Sequence, residues 1–262
     1  MKAIVLRTAG TNCDQETAHA LRMAGAEPEV IHVNQLLSKK VDLEPYRLMV
    51  IPGGFSYGDD VAAGKILANE LRFKLRVALD EFVAQGKRII GICNGFQVLV
   101  KTGYLPGLAH RSSLPRDSAN ASGGGNPELT QTVTLAANDS GRFQCHWVRM
   151  RREKSACKWL NATDLQWELP IAHAEGKLVA QDDKTLSALE KNRQVIFRYQ
   201  GANPNGSVNA IAGICNSDGN VVGLMPHPER HVSRSQHPEW TRFTNKSKLP
   251  VGLQFFQAAV LN

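Results

Sequence analysis

The tetrapeptide Gly-Ile-Cys-Asn occurs twice, in GICNGFQ at 91 to 97 and in GICNSDG at 213 to 219, so two cysteines compete for the role of nucleophile. Around Cys93 a four-letter apolar run ends at Gly91-x-Cys93-x-Gly95, and apolar residues at helical spacing (Phe96, Leu99, Val100) follow at once. Glycines two before and two after a nucleophile permit the sharp strand-to-helix turn of a nucleophile elbow, which pushes the side chain out in a strained backbone conformation. The thiol there faces a helix N-terminus, whose partial positive charge favours the thiolate. Around Cys215, two β-type runs flank Asn216-Ser-Asp-Gly-Asn220, which is a hairpin turn with no helix behind it. Cys215 is expected on a strand beside that turn.

A cysteine nucleophile needs a base, and the base needs a group to orient it. Met225-Pro-His227-Pro-Glu229-Arg230 supplies both. Prolines on either side of His227 exclude a helix and predict an extended segment with His227 and Glu229 on one side, so that the carboxylate fixes the imidazole tautomer. Metal ligation by His227 and His231 fails on mechanism, because a His-Glu-x-x-His zinc site needs a helix and Pro228 breaks one. No metal site is expected. Gly53 and Gly54, in Pro52-Gly-Gly-Phe-Ser-Tyr-Gly-Asp59, allow backbone N–H groups to approach a substrate oxyanion.

Elements must bring these segments together. Lys2–Arg7, residues 29 to 33, Leu48–Ile51 and Arg88–Ile92 read as strands. Residues 15 to 24 and a long stretch from 66 to 84 read as helices between them. That alternation predicts an α/β fold with a doubly wound, mostly parallel sheet, whose ligands sit beyond the carboxyl ends of the strands. The segments to inspect are therefore 8 to 14, 52 to 60 and 93 to 97. Residues 110 to 127 are rich in Ser, Gly, Asn and Pro and predict an exposed, mobile loop. Beyond it, β-type runs at 131 to 136, 142 to 150, 178 to 180 and 194 to 199 predict antiparallel strands added at the sheet edge, and a final helix is expected over 253 to 261. The whole chain, 1 to 262, is expected to form one domain.

Composition narrows the class. With 42% apolar and 21% charged residues, the 262-residue chain has enough apolar content for a core. Its first residues offer only a short apolar run before Arg7, so neither an export signal nor a membrane span is expected. Five cysteines without C-x-x-C spacing favour neither a disulfide framework nor a zinc site, and a reducing cytoplasm is the expected compartment. The net charge of +7 gathers in Arg142, Arg149, Arg151, Arg152, Lys154 and Lys158 and in Arg230, Arg234, Arg242, Lys246 and Lys248. These clusters read either as solvated basic faces or as surfaces for an acidic or phosphorylated partner. No aromatic interleaving or helix-turn-helix pattern supports nucleic acid.

PGGFSYGD, GICNGFQ, AHAEGK and MPHPER in this order resemble the class I glutamine amidotransferases, and within them the glutaminase subunits of phosphoribosylformylglycinamidine synthase. The likeness spans nearly the whole chain, from GTNCD at 10 to 14 to the final helix. It implies a flavodoxin-like sheet, Cys93 as the nucleophile on the glutamine side-chain amide, His227 as proton shuttle and Glu229 as its orienter. It further implies that backbone N–H groups near Gly54 and Asn94 hold the oxyanion, and that Phe55 and Gln97 line the glutamine pocket. His173 and Glu175 would lie near the site or the partner interface. No cofactor is implied on this chain: ATP and Mg would belong to a synthetase partner that uses the ammonia on formylglycinamide ribonucleotide, and whether a small accessory subunit joins is left open. Two departures from the family pattern stand out, Ala9 in place of a proline and Ala174 in place of the glycine of H-G-E-G. A PfpI-like peptidase or chaperone shares the sheet and the cysteine elbow but lacks the late His-Pro-Glu segment. A non-catalytic binding subunit would leave Cys93, His227 and Glu229 together by accident.

Overall fold

The computed structural model describes residues 1 to 107, 131 to 242 and 249 to 261. The expected loop at 110 to 127, and Lys246 and Lys248 of the second basic cluster, lie outside the described residues. Among the described residues, eleven strands run in chain order: β1 (Lys2–Arg7), β2 (Glu27–His32), β3 (Leu48–Ile51), β4 (Arg88–Ile92), β5 (Val133–Ala136), β6 (Gln144–Arg152), β7 (Gln166–His173), β8 (Lys177–Ala180), β9 (Val195–Gln200), β10 (Ile211–Cys215) and β11 (Val221–Leu224). The helices are α1 (Asp14–Met23), α2 (Val33–Leu37), α3 (Lys65–Lys74), α4 (Arg76–Ala84), α5 (Asn94–Thr102), α6 (Asp183–Lys191) and α7 (Val251–Leu261).

Nine strands form one sheet in the order β2-β1-β3-β4-β11-β10-β9-β6-β7. The first five are parallel neighbours, and the remaining four pair antiparallel. β3 and β4 are continuous apolar runs, as strands covered on both faces must be. The connection from β1 to β2 runs one way along the sheet and that from β3 to β4 the other, so right-handed crossovers put α1 and α3 on opposite faces. α1 packs on α7, and α3 on α5. The reversal of direction between β1 and β3 opens the crevice in which such sheets bind ligands.

Three expectations need correction. The long helix over 66 to 84 is two helices, with a break at Leu75, whose backbone (φ −116°, ψ 4°) is not helical. Its buried residues Leu67, Leu71, Leu75 and Leu79 recur every four positions. Four residues turn about 400°, so a straight helix would rotate this stripe off the core by about 40° per step, and the break returns it. The runs at 131 to 136 and 178 to 180 do not extend the main sheet; β5 and β8 pair with each other in a separate two-stranded ribbon. The strand expected over 29 to 33 ends at His32, because Val33 opens α2: His32 Nδ1 accepts from Asn34 N–H at 3.2 Å and Gln35 Oε1 accepts from His32 N–H at 3.0 Å.

Candidate active site

Cys93 stands where β4 ends and α5 begins, with φ 51° and ψ −106°, a conformation that L-residues hold only under the constraint of their surroundings. The constraint is close backbone approach. A Cβ on Gly95 would overlap the Ile51 carbonyl oxygen, and one on Gly91 would lie 2.5 Å from the Gly95 carbonyl oxygen. The elbow therefore exists because α5 can sit directly on β3. Asn94 and Gly95 open α5, directly after Cys93, where N–H groups have no acceptor within the helix.

His227 and Glu229 meet as expected, by a different backbone path. Pro228–Arg230 is a single 3₁₀ turn rather than an extended segment: proline has no N–H to lose at a first helical position, and its fixed φ suits that position. His227 Nδ1 and Glu229 Oε1 are 2.5 Å apart, and both residues are almost completely buried. Burial works against a charge on the imidazole. The Glu229 carboxylate and the neighbouring Cys93 thiol outweigh it, and the His227 pKa is raised well above the ordinary histidine value. His227 Nε2 is buried with no hydrogen-bond partner, so a proton can be taken and given there.

The edge strand β7 aligns the three parts. Its carbonyls at Glu168, Pro170 and Ala172 recur at every second residue and so face one edge. They meet His231 Nδ1 at 3.0 Å, His227 N–H at 2.9 Å and the Cys93 thiol at 3.5 Å. Sequence reasoning missed β7 altogether. Trp167, Leu169 and Ile171 alternate in the manner of a strand, and Pro170 obscures them, although proline is tolerated on the edge position that β7 holds.

The loops after β1 and β3 close the site from the other side. Phe55 N–H donates to the Gly10 carbonyl at 2.9 Å, and Gly54 is bridged to Thr11. Gly53 serves a use the sequence did not reveal: a Cβ there would lie 2.7 Å from His227 Cε1, so the imidazole packs against bare backbone. Cys13 also reaches this point. Its sulfur is 3.2 Å from Arg230 Nη2 and lies close to His227 and Glu229, and burial pushes its thiol pKa up. Cys13, His227 and Glu229 have the composition of a metal-ligand set. The short hydrogen bond between His227 and Glu229 already commits one donor atom of each, which fits acid–base work better than ligation.

Asn94 and Gln97 form a brace. Asn94 Nδ2 donates to Asp59 Oδ1 and to Gln97 Oε1, each at 3.1 Å, and Gln97 Nε2 donates to the Glu175 carbonyl at 2.6 Å. Gln97 thus ties α5 to Glu175, two residues beyond His173 at the end of β7. Phe55 is 47% exposed at the rim. Ala174 lacks a positive φ and its carbonyl accepts from Asn138 N–H at 2.8 Å, so alanine fits there without strain. Cys215 is fully buried at the end of β10 and its thiol is pushed up to about 12 by burial, which leaves it unreactive at neutral pH.

A parallel sheet that presents a cysteine on a strained elbow to a His–Glu pair defines a thiol-dependent amidohydrolase. The chain belongs to the CobB/CobQ-like glutamine amidotransferase domain family, whose model matches residues 1 to 261. It is 41% identical to phosphoribosylformylglycinamidine synthase subunit PurQ of Dehalococcoides mccartyi, over 99% of this chain and 96% of that protein. To the PurQ subunit of Treponema denticola it is 44% identical, over 88% of each. A chain in the structure of PurLQS from Thermotoga maritima superposes with a TM-score of 0.73 at 32% identity, over 99% of this chain and 97% of that one. A glutamine amidotransferase of the same organism, 13% identical with a TM-score of 0.55, shares the fold.

Proposed function

We propose that this chain is the glutaminase subunit of a phosphoribosylformylglycinamidine synthase, releasing ammonia from glutamine for a synthetase partner in purine biosynthesis. The observation that carries this reading is the convergence of Cys93, His227 and Glu229 in a chain 41% identical to a PurQ subunit over 96% of that protein. The likeness to a chain of PurLQS supports a partner of the PurL kind. The basic strand face at Arg149 and Arg151 is assigned to that docking. Residues 1 to 262 are read as one domain, which the single core cluster spanning both halves of the sheet supports. Five free cysteines fit a reducing cytoplasm, and no helix among the described residues is long and apolar enough to cross a membrane.

The chemistry follows from the geometry. His227 Nε2 takes the Cys93 proton, and the resulting imidazolium is held by Glu229. The thiolate attacks the side-chain carbonyl carbon of glutamine, and the oxyanion so formed is met by N–H groups of the Gly53-Gly54 loop and of Asn94 at the start of α5. His227 returns its proton to the amide nitrogen, the C–N bond breaks, and ammonia departs, leaving a γ-glutamyl thioester. Water, deprotonated by His227, then cleaves the thioester to glutamate and restores the thiol.

The test measures glutamate release with and without a PurL-type synthetase, in the presence of ATP and formylglycinamide ribonucleotide. The reading predicts strong stimulation by the assembled complex. Full activity of the isolated chain, unaltered by the partner, would contradict coupled transfer.

A further inference from the structure

Beside the triad is a second buried histidine, outside the acid–base cycle described. His173 ends β7, next to the Ala172 carbonyl that meets the Cys93 thiol and two residues before the Glu175 carbonyl that receives Gln97. It is 3% exposed, and its ring lies so close against the Gly176 backbone that a Cβ there would overlap the imidazole.

The hydrogen bonds around it fix its tautomer. Asn138 Nδ2 donates to the carbonyls of Arg142 and His173, each at 2.9 Å, so the amide nitrogen is identified by its two acceptors. Asn138 Oδ1 is then the oxygen. It accepts from Gly176 N–H at 3.1 Å and faces His173 Nδ1 at 3.2 Å, and only a protonated Nδ1 can satisfy it. Nε2 is left with a bare lone pair, buried and without a partner. A buried acceptor with no donor is costly unless a ligand supplies one.

We propose that His173 Nε2 is the acceptor for an N–H of the glutamine carboxamide, and then of the ammonia that leaves it. This rests on the glutaminase reading of the site. The lone pair needs a donor, the adjacent Ala172 carbonyl and the neighbouring His227 tie His173 to the reacting centre, and the amide nitrogen of the substrate is the donor that the chemistry brings there. His173 exchanges no proton in the step: His227 supplies the proton to the leaving nitrogen, and Nε2 only orients it. Burial and the nearby His227 lower the His173 pKa to about 4, so at neutral pH Nε2 carries no proton to give to the product and ammonia leaves uncharged. Asn138 and Gly176 act through His173 as positioning groups.

Two substrates separate this role from a structural one. The γ-methyl ester of glutamate passes through the same Cys93 thioester but has no N–H at its leaving group. In the assembled complex, His173→Leu is expected to lower kcat/KM for glutamine relative to the ester by about tenfold or more, the effect of one lost hydrogen bond in the transition state. Equal losses on both substrates would overturn the proposal and make His173 a packing residue. If His173→Leu does not fold, His173→Phe, which also lacks an acceptor, is read by the same ratio. Wild-type complex inert on both substrates would instead contradict the glutaminase reading itself, so the two failures are distinct.

Discussion

At the residue scale the site turns on what Glu229 does to His227. The carboxylate holds the imidazole pKa above the usual histidine range against the opposing effect of burial. A raised pKa keeps the protonated form present at higher pH, and in the proposed mechanism that is the form that hands a proton to the departing nitrogen. Glu229→Gln removes the charge and keeps a hydrogen-bonding oxygen. It is expected to move the alkaline limb of the kcat profile to lower pH and to reduce kcat by about 10²-fold or more, judged from the loss of a positioned acid–base group. A limb that stays in place would show that Glu229 only positions the ring. The two cysteines separate on the same physics: Cys215→Ala, at a fully buried thiol, should leave glutaminase activity intact, measured by glutamate release. The elbow at Cys93 and the pairing of His227 with Glu229 were legible in the sequence because elbow glycines and proline-flanked histidine are local patterns. Gly53 was legible as a turn but not as bare backbone packed against His227, because that contact joins two segments distant in the chain.

The elements explain why those residues meet. α5 lies so close to β3 that Gly95 admits no side chain, and Gly95→Ala must push the Ile51 backbone away. The expected loss is about 1–3 kcal/mol from overpacking, seen as a lower thermal midpoint, with glutaminase activity falling further than stability because Cys93 turns with the helix. An unchanged midpoint would mean that the elbow tolerates a displaced α5. Continuous apolar runs made β3 and β4 readable to the residue. The break at Leu75 was not, because it answers to the sheet beneath the helix and not to any helix-breaking residue. Likewise β7 carries a proline in its middle, and only its place at the edge of the sheet makes that acceptable.

For the whole molecule, acid should weaken the fold through His173. Its pKa is about 4 in the folded chain against the ordinary histidine value of 6.5, so the unfolded chain binds the extra proton between those limits. Stability is therefore full above about pH 6.5 and declines by roughly 3 kcal/mol as pH falls to 4, since each pH unit between the two values is worth about 1.36 kcal/mol. Denaturant titrations across that range should show the decline, and His173→Gln should flatten it. The basic face divides in the structure. Arg152 is buried against the carbonyls of Asp164 and Glu153, whereas Arg149 and Arg151 make only exposed pairs with Glu168 and Glu153. Reversing Arg149 and Arg151 to Glu should thus leave folding intact, since such pairs contribute little, while weakening affinity for the synthetase. Equal affinity would remove docking from this face. Whether Cys93 makes ammonia for another subunit is tested most directly by Cys93→Ala in the assembled synthase. Glutamine-dependent product formation should vanish while formation from added ammonium salt persists, and a variant that still uses glutamine would contradict the account.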